Sequence, residues 1–272
     1  MKKVCAILMA VCLLLAGLCP ALAEEKTYSI GICQLAPHPA LDAATKGFRD
    51  FLTEKLGDRV VFDEQNAAGE AATCMQIMNT FVADNVDLIM ANATGALQAA
   101  QSATGDIPIL GTAVTDYGVA LDLTCVDGKT GTNISGTSDL APLDQQAAMI
   151  KELFPEAKEV GLLYCSSEAN SAYQIEVMTQ ELTKLGFRCT EFAFSDSSDV
   201  TSMTSTACQN SDVIYVPTDN VVATCAEAIR NVAEVDRVPI IAGEEGACAG
   251  CGVATLSISY YELGRITGEM AF

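Results

Sequence analysis

Tryptophan is absent from this chain of 272 residues, histidine occurs once, and aromatic residues fill 6% of positions. A sugar site built by stacking rings on flat aromatics therefore has little to draw on. A structural zinc site would have one imidazole, His38, to use. Positive charge is scarce too: 15 Lys and Arg face 35 Asp and Glu, for a net charge of −20. Such a surface repels nucleic acid and anionic lipid and favours solubility. The acids are scattered rather than blocked, which reads as a solvated surface and not an acidic tail. Beyond Leu18 no apolar run approaches the ~20 residues that cross a bilayer.

What is present begins with a leader. Met1-Lys2-Lys3 precedes an apolar run from Val4 to Leu18, then Pro20-Ala21-Leu22-Ala23 before Glu24-Glu25. A short positive head, an apolar stretch and an Ala-x-Ala exit are the parts of a secretory signal peptide over residues 1–23. Cleavage near Ala23 predicts a protein that works outside the cytoplasm, in a periplasm or at a cell surface. DNA-binding regulators and most cofactor enzymes are thereby excluded. A lipoprotein signal wants a small residue before its cysteine, and Leu18 precedes Cys19, so acylation there is the lesser reading. Losing Lys2 and Lys3 leaves 13 basic against 35 acidic residues, a balance of −22.

The rest of the chain, with half of all positions apolar, can fill one large core or two. Nine cysteines follow the leader (33, 74, 125, 165, 189, 208, 225, 248 and 251), and most fall inside apolar patterns. They read as core thiols, since buried Cys behaves as a small hydrophobe and disulfide frameworks suit smaller secreted chains.

Short apolar runs alternate with amphipathic stretches. The strand candidates are Tyr28–Cys33, Val60–Asp63, Asp87–Met90, Ile107–Leu110, Val160–Tyr164, Arg188–Phe192, Val213–Val216 and Val238–Ile241. Several are continuously apolar, as strands buried on both faces are. Helical faces fall between them: Leu41, Ala44, Phe48, Leu52, Leu56; Ile175, Met178, Leu182, Leu185; Val221, Cys225, Ile229, Val232, Val235. Gly57 and Gly186 stand where helices stop. The pattern predicts an α/β fold and runs twice, on either side of the Gly/Thr/Ser-rich segment Asp127–Ser138. Two doubly wound parallel-sheet lobes joined by a hinge follow, spanning residues 24–138 and 139–258, with a helix over 259–272 returning to the first lobe.

Ligands of open parallel sheets bind beyond the carboxyl ends of the strands. The residues there are Gln34 and His38, Asn92 and Thr94, Thr115-Asp116-Tyr117, Glu168-Ala-Asn170-Ser171, Thr218-Asp219-Asn220, and Glu244. Some are helix caps, which favour Ser, Thr, Asp and Asn anyway. Together they suggest a polar cleft between the lobes. Hydroxyls such as Ser171 and Thr94, with adjoining helix N-termini, suit a carboxylate. Asp116, Glu168 and Asp219 suit an ammonium. A site holding both ends of a zwitterion binds a free amino acid, with Tyr117, Tyr173 and Tyr260 as candidate apolar walls.

Gly31-Ile-Cys-Gln34 with His38-Pro-Ala-Leu-Asp42 and Gly47-Phe48, Thr112-Ala-Val-Thr-Asp116, Asn133-Ile-Ser-Gly-Thr-Ser-Asp139, Glu168-Ala-Asn-Ser171 and Tyr260-Tyr-Glu-Leu-Gly264 occur in that order. This series resembles the ABC-transporter substrate-binding family that includes the tryptophan/tyrosine-binding proteins. The resemblance implies a hinged binding protein of the periplasmic-binding-protein type I shape that serves a membrane permease. It implies ligand contacts from Glu168, Asn170, Ser171, Asp219 and Asn220 on one side, and from Gln34, Thr94, Thr115 and Asp116 on the other. It also implies that a chain stopping at Phe272 lacks a final hinge crossing. Tyr117 replaces the Pro that often follows Thr-Asp in the family, and Cys248-Ala-Gly-Cys251 fills a loop that is usually cysteine-free.

Other signals are set aside. Cys248-x-x-Cys251 lacks the further ligands of a zinc site, and inert thiols rank above a local disulfide. Gly128-Lys-Thr130 matches the end of a phosphate loop, but Leu123 stands where its first glycine belongs. Cys33 with His38 has no third residue to orient a nucleophile. Asn92-x-Thr94 and Asn133-x-Ser135 match a glycan acceptor pattern that matters only in a eukaryotic route. The expected function is therefore capture of an aromatic or other apolar amino acid by a monomer serving an ABC permease. No enzyme activity, metal or cofactor is expected; a sugar or nucleoside is the alternative ligand.

Overall fold

The computed structural model describes residues 26–272, so the leader and Cys19 lie outside the described residues. The first lobe runs β1 (Tyr28–Gln34), α1 (Pro39–Leu56), β2 (Val60–Asn66), α2 (Ala71–Ala83), β3 (Leu88–Asn92), α3 (Thr94–Ala103), β4 (Ile109–Val114), α4 (Tyr117–Leu121) and β5 (Ile134–Ser138). The second runs α5 (Leu143–Leu153), β6 (Glu159–Cys165), α6 (Ala169–Lys184), β7 (Arg188–Phe194), α7 (Val200–Gln209) and β8 (Val213–Val216). It continues through α8 (Asn220–Thr224), α9 (Ala226–Asp236), β9 (Ile240–Ala242), α10 (Glu245–Cys251) and β10 (Ala254–Thr255), before α11 (Tyr260–Ala271). Each lobe carries a five-stranded parallel sheet, ordered β2-β1-β3-β4-β5 and β7-β6-β8-β9-β10 along the two edges-to-edges.

The apolar strands are buried on both faces because helices cover both. Phe81 and Met78 of α2 pack with Ile89 on one face of the first sheet, while Phe48 and Leu52 of α1 pack with Ile32 and Met90 on the other. The second sheet repeats this, with Ile214 and Val216 facing one cluster and Leu162 and Tyr215 another. Each such side chain contributes roughly 1.5–3 kcal/mol by leaving water. Gly57 closes α1 at φ 56° and Gly186 follows α6 at φ 87°, the left-handed region that glycine enters without a Cβ penalty.

The last helix returns to the first lobe. A Cβ at Gly264 would sit 2.0 Å from the Ala44 carbonyl oxygen, and one at Gly47 would sit 2.1 Å from that of Tyr261. Glycine at both positions lets α11 and α1 meet backbone to backbone. The two crossings between lobes are pinned to each other: Thr115 Oγ1 and Tyr260 Oη donate to the two carboxylate oxygens of Asp139, at 2.9 and 2.8 Å.

Some expectations need correction. The polar segment expected as a flexible crossing contains β5, and β10 was not foreseen. Both are edge strands, paired on one side only and carrying little apolar signal. The stretch read as one helix from Val221 to Val235 is two, α8 and α9, and Val235 is 80% exposed. Leu185, at the end of α6, is also exposed. Cys33, Cys74, Cys165, Cys208 and Cys251 are buried thiols, whereas Cys125 is exposed on a loop.

Candidate functional site

The carboxyl ends of the two sheets face one another across a narrow cavity. Its walls are His38, Ala40 and Leu41 at the start of α1, Ala113 and Thr115 at the end of β4, Asp139 and Tyr260 at the crossings, and Asn170, Thr218, Asp219, Asn220, Ala223 and Glu244 from the second lobe. Two polar contacts join the lobes beside it. His38 Nε2 lies 3.1 Å from Asn220 Oδ1, and Gln174 Nε2 donates to Thr115 Oγ1 at 3.4 Å.

Three carboxylates reach this cavity, and helix starts and hydroxyls hold them there. Asp219 caps α8, accepting from Val222 N at 2.8 Å and from Cys165 N at 2.7 Å. Glu244 caps α10 by accepting from the amides of Gly246 and Ala247. Asp139 is held by its two hydroxyl donors. Burial raises the proton affinity of all three above the ordinary carboxylate value, against the opposing pull of those hydrogen bonds. Glu168 sits just behind Asn170 and Asn220, accepting from Asn170 Nδ2, Asn220 Nδ2 and the amides of Asn220 and Val221. Burial first, then the charge of Asp219, pushes Glu168 up to about 7. Among the described residues no Lys or Arg lines the cavity.

Of the fourteen strand-end residues named from sequence, His38, Thr115, Asn170, Thr218, Asp219, Asn220 and Glu244 line the cavity. Glu168 and Ser171 lie one layer behind, Ser171 hydrogen-bonding Asp219. The other five do not line it. Gln34 donates to Ala36 O and Asp42 Oδ1 and accepts from Thr45, and Asn92 Nδ2 donates to Leu41 O and Thr45 Oγ1, so both belong to a network inside the first lobe. Thr94 is buried in the first turn of α3. Asp116 caps α4 through Val119 N and lies beside the Gly128–Gly131 loop, away from the cavity. Tyr117 turns under the sheet, its hydroxyl donating to Gly111 O and Thr137 O. For Gln34, Asn92, Asp116 and Tyr117, local hydrogen bonding claims a side chain that its position in sequence left free.

Residues 29–272 match the family model of the ABC transporter substrate binding protein. The chain belongs to that family. It is 40% identical over 251 residues to a tyrosine-binding protein of Clostridioides difficile (strain R20291), covering 91% of this chain and 72% of the relative. A Streptococcus pneumoniae ABC domain crystallised with L-Trp superposes with a TM-score of 0.87 at 33% identity, covering 90% of this chain and 84% of that one. The ligand-free, open structure of a substrate-binding protein from Clostridium difficile is nearer in sequence, at 39% identity over the same shares, yet scores 0.64. This chain thus superposes better on the L-Trp complex than on the open structure.

Members of this family bind substrates for ABC importers and work outside the cytoplasm, and no described helix is long and apolar enough to cross a membrane. Sequence reasoning placed His38 at the cleft without giving it a ligand contact, and omitted Asp139 and Gln174. His38 and Asp139 stood in motifs that carried the family resemblance, and both are buried. Gln174 gave no signal, since it looks like any polar residue on an amphipathic helix.

Proposed function

We propose that this protein closes on an α-amino acid with an aromatic or other apolar side chain and delivers it to the membrane permease of an ABC importer. The charge of the cavity carries the reading: Asp139, Asp219 and Glu244 line it without a Lys or Arg among the described residues. An ammonium group supplies the missing counter-charge and draws the raised carboxyls back toward ionisation. A sugar or nucleoside has no cation to offer them.

The ligand carboxylate falls to the start of α1. That helix is 18 residues long, begins with Pro39, and its cap residue His38 makes no side-chain bond to its amides. The first-turn amides of a helix lack internal acceptors and sit at its positive end. The hydroxyls of Thr115 and Thr218 are already committed to Asp139 and Gln174. The remaining wall is apolar and mostly small, with Ala40, Ala113 and Ala223 beside Leu41 and Tyr260, which leaves room for a large ligand side chain once the lobes part. The L-Trp in the pneumococcal structure and the name of the clostridial relative support the aromatic class.

In this reading residues 24–138 and 139–258 rotate about the crossings near Asp139 and Tyr260, and the closed monomer is what the permease recognises. In the same reading the leader directs export and is cleaved near Ala23. Calorimetry with L-tyrosine, L-tryptophan, L-phenylalanine, their deamino acids, glucose and a nucleoside tests the reading. Binding is expected for amino acids alone. Equal affinity for an amino acid and its deamino acid, or binding of the sugar or nucleoside only, overturns it.

A further inference from the structure

The single histidine of the chain is buried in the cavity wall with one ring nitrogen unpaired. His38 is 6% exposed, and its Nδ1 has no hydrogen-bond partner. The other nitrogen, Nε2, faces Asn220 Oδ1 across the lobes at 3.1 Å. The direction of that bond is fixed from the far side. Asn220 Nδ2 donates to Glu168 Oε2 at 2.6 Å, while the same carboxylate accepts the Asn220 and Val221 amides at 3.1 Å each. Glu168 thus holds the NH2 end of the Asn220 amide and turns its oxygen toward His38. An amide oxygen only accepts, so Nε2 carries the hydrogen. A neutral ring protonated at Nε2 presents a lone pair at Nδ1, and a buried acceptor of that kind is costly to leave unmatched. Burial also disfavours the charged ring.

We infer that Nδ1 of His38 accepts a hydrogen from the α-ammonium of the ligand, with Asn220 and Glu168 as the positioning residues that set its tautomer. The inference rests on the amino-acid reading above and names a contact within it. It separates an amino acid from its deamino acid through a neutral acceptor, in addition to the carboxylates. The α-ammonium and α-carboxylate are borne on one carbon, so the histidine that caps α1 can meet the first while the helix start meets the second.

Because no other histidine exists, nitrogen-15 histidine labelling of the wild-type protein reports this ring alone. The expected spectrum shows Nε2 protonated and Nδ1 bare at neutral pH. L-tryptophan should move the Nδ1 resonance toward the protonated position, and its deamino acid should move it far less. A ring protonated at Nδ1, or an Nδ1 resonance that L-tryptophan leaves in place, overturns the inference. In calorimetry, His38→Ala should lower the ratio of amino-acid to deamino-acid affinity about tenfold. Loss of the bridge to Asn220 alone would weaken both ligands equally and leave that ratio unchanged, which would also overturn it. If wild-type protein discriminates nothing by the ammonium, the amino-acid reading fails first, and the spectrum still decides the tautomer.

Discussion

The two lobes share one strand order but bring opposite chemistry to the gap between them. In the second lobe, the turns after β6, β8 and β9 deliver Glu168, Asp219 and Glu244, each accepting backbone amides at the start of a short helix. In the first lobe, the corresponding turns after β1, β3 and β4 deliver Gln34 and His38, Asn92 and Thr94, and Thr115. Those groups are neutral under burial, and Gln34 and Asn92 are spent on one another's neighbours. The backbones differ as well. Ala68, Ala93 and Ala113 hold positive φ angles (52°, 89° and 52°) after β2, after β3 and within β4, whereas Arg237 is the non-glycine counterpart among the described residues of the second lobe. Positive φ at a residue with a Cβ stores strain of order 1 kcal/mol, and of the three Ala113 lines the cavity. One lobe supplies charge and the other supplies shape. A neutral wall opposite three acids also lets the lobes close without pressing like charges together.

The comparison breaks most directly at Asp219. Asp219→Ala is expected to abolish amino-acid binding in calorimetry, because the ammonium loses a partner and the Cys165 amide is left buried without an acceptor. Unchanged affinity would remove the second lobe as the source of the charge. Ser171→Ala, which loses the hydroxyl bonded to Asp219, should weaken binding by a smaller factor.

A second difference is that only the first lobe is buttressed by a helix from the far end of the chain. Gly264→Ala places a methyl within 2.0 Å of the Ala44 carbonyl oxygen. It should destabilise the protein by about 3 kcal/mol in denaturant unfolding, the upper end of overpacking costs. The start of α1 would shift with it, so affinity should fall too. A variant as stable as wild type would mean that α11 is no part of that wall.

The charged lobe should also respond to pH in a way the neutral lobe does not. Glu168 titrates near 7 when folded and near 4.5 when unfolded. Between those values the folded state holds the extra proton, so its contribution to stability is present at low pH and is lost as pH rises toward 7. That contribution is on the order of 2 kcal/mol after allowance for solvent reaching the site. Melting of the ligand-free protein from pH 4.5 to 8 should therefore show a fall that is shallower in Glu168→Gln. Ligand should restore stability most at the higher pH, where the carboxylate is ionised. Identical slopes for the two proteins would place the raised proton affinity elsewhere.

These differences were unevenly legible in the sequence. The central strands announced themselves because a parallel sheet covered on both faces demands continuous apolar runs, as in Val213–Val216. Edge strand β5, written Ile-Ser-Gly-Thr-Ser, carries no such demand and read as a linker. The strand-end rule located the cleft but not the direction of each side chain. Asp219 and Asp116 were equal candidates on paper, because a strand end, a cap and a carboxylate look alike in one dimension. What separates them is whether the side chain turns into the cavity, and that depends on contacts far away in sequence, such as His38 with Asn220.

The smallest effect sharpens this last pair. Asp116 caps the five-residue α4 by accepting from Val119 N at 2.8 Å, the same bond over the same distance that Asp219 makes to Val222 N over the five-residue α8. If capping alone gave these aspartates their value, replacing either by alanine would have one outcome. Asp116 lies with the Gly128–Gly131 loop rather than in the cavity wall, however, and lacks a second amide like that of Cys165. Asp116→Ala should therefore cost about 1 kcal/mol of stability, the ordinary worth of an N-cap, and leave amino-acid affinity within twofold of wild type. A large loss of affinity in Asp116→Ala would put charge from the first lobe back into the cleft and erase the division of labour between the two sheets.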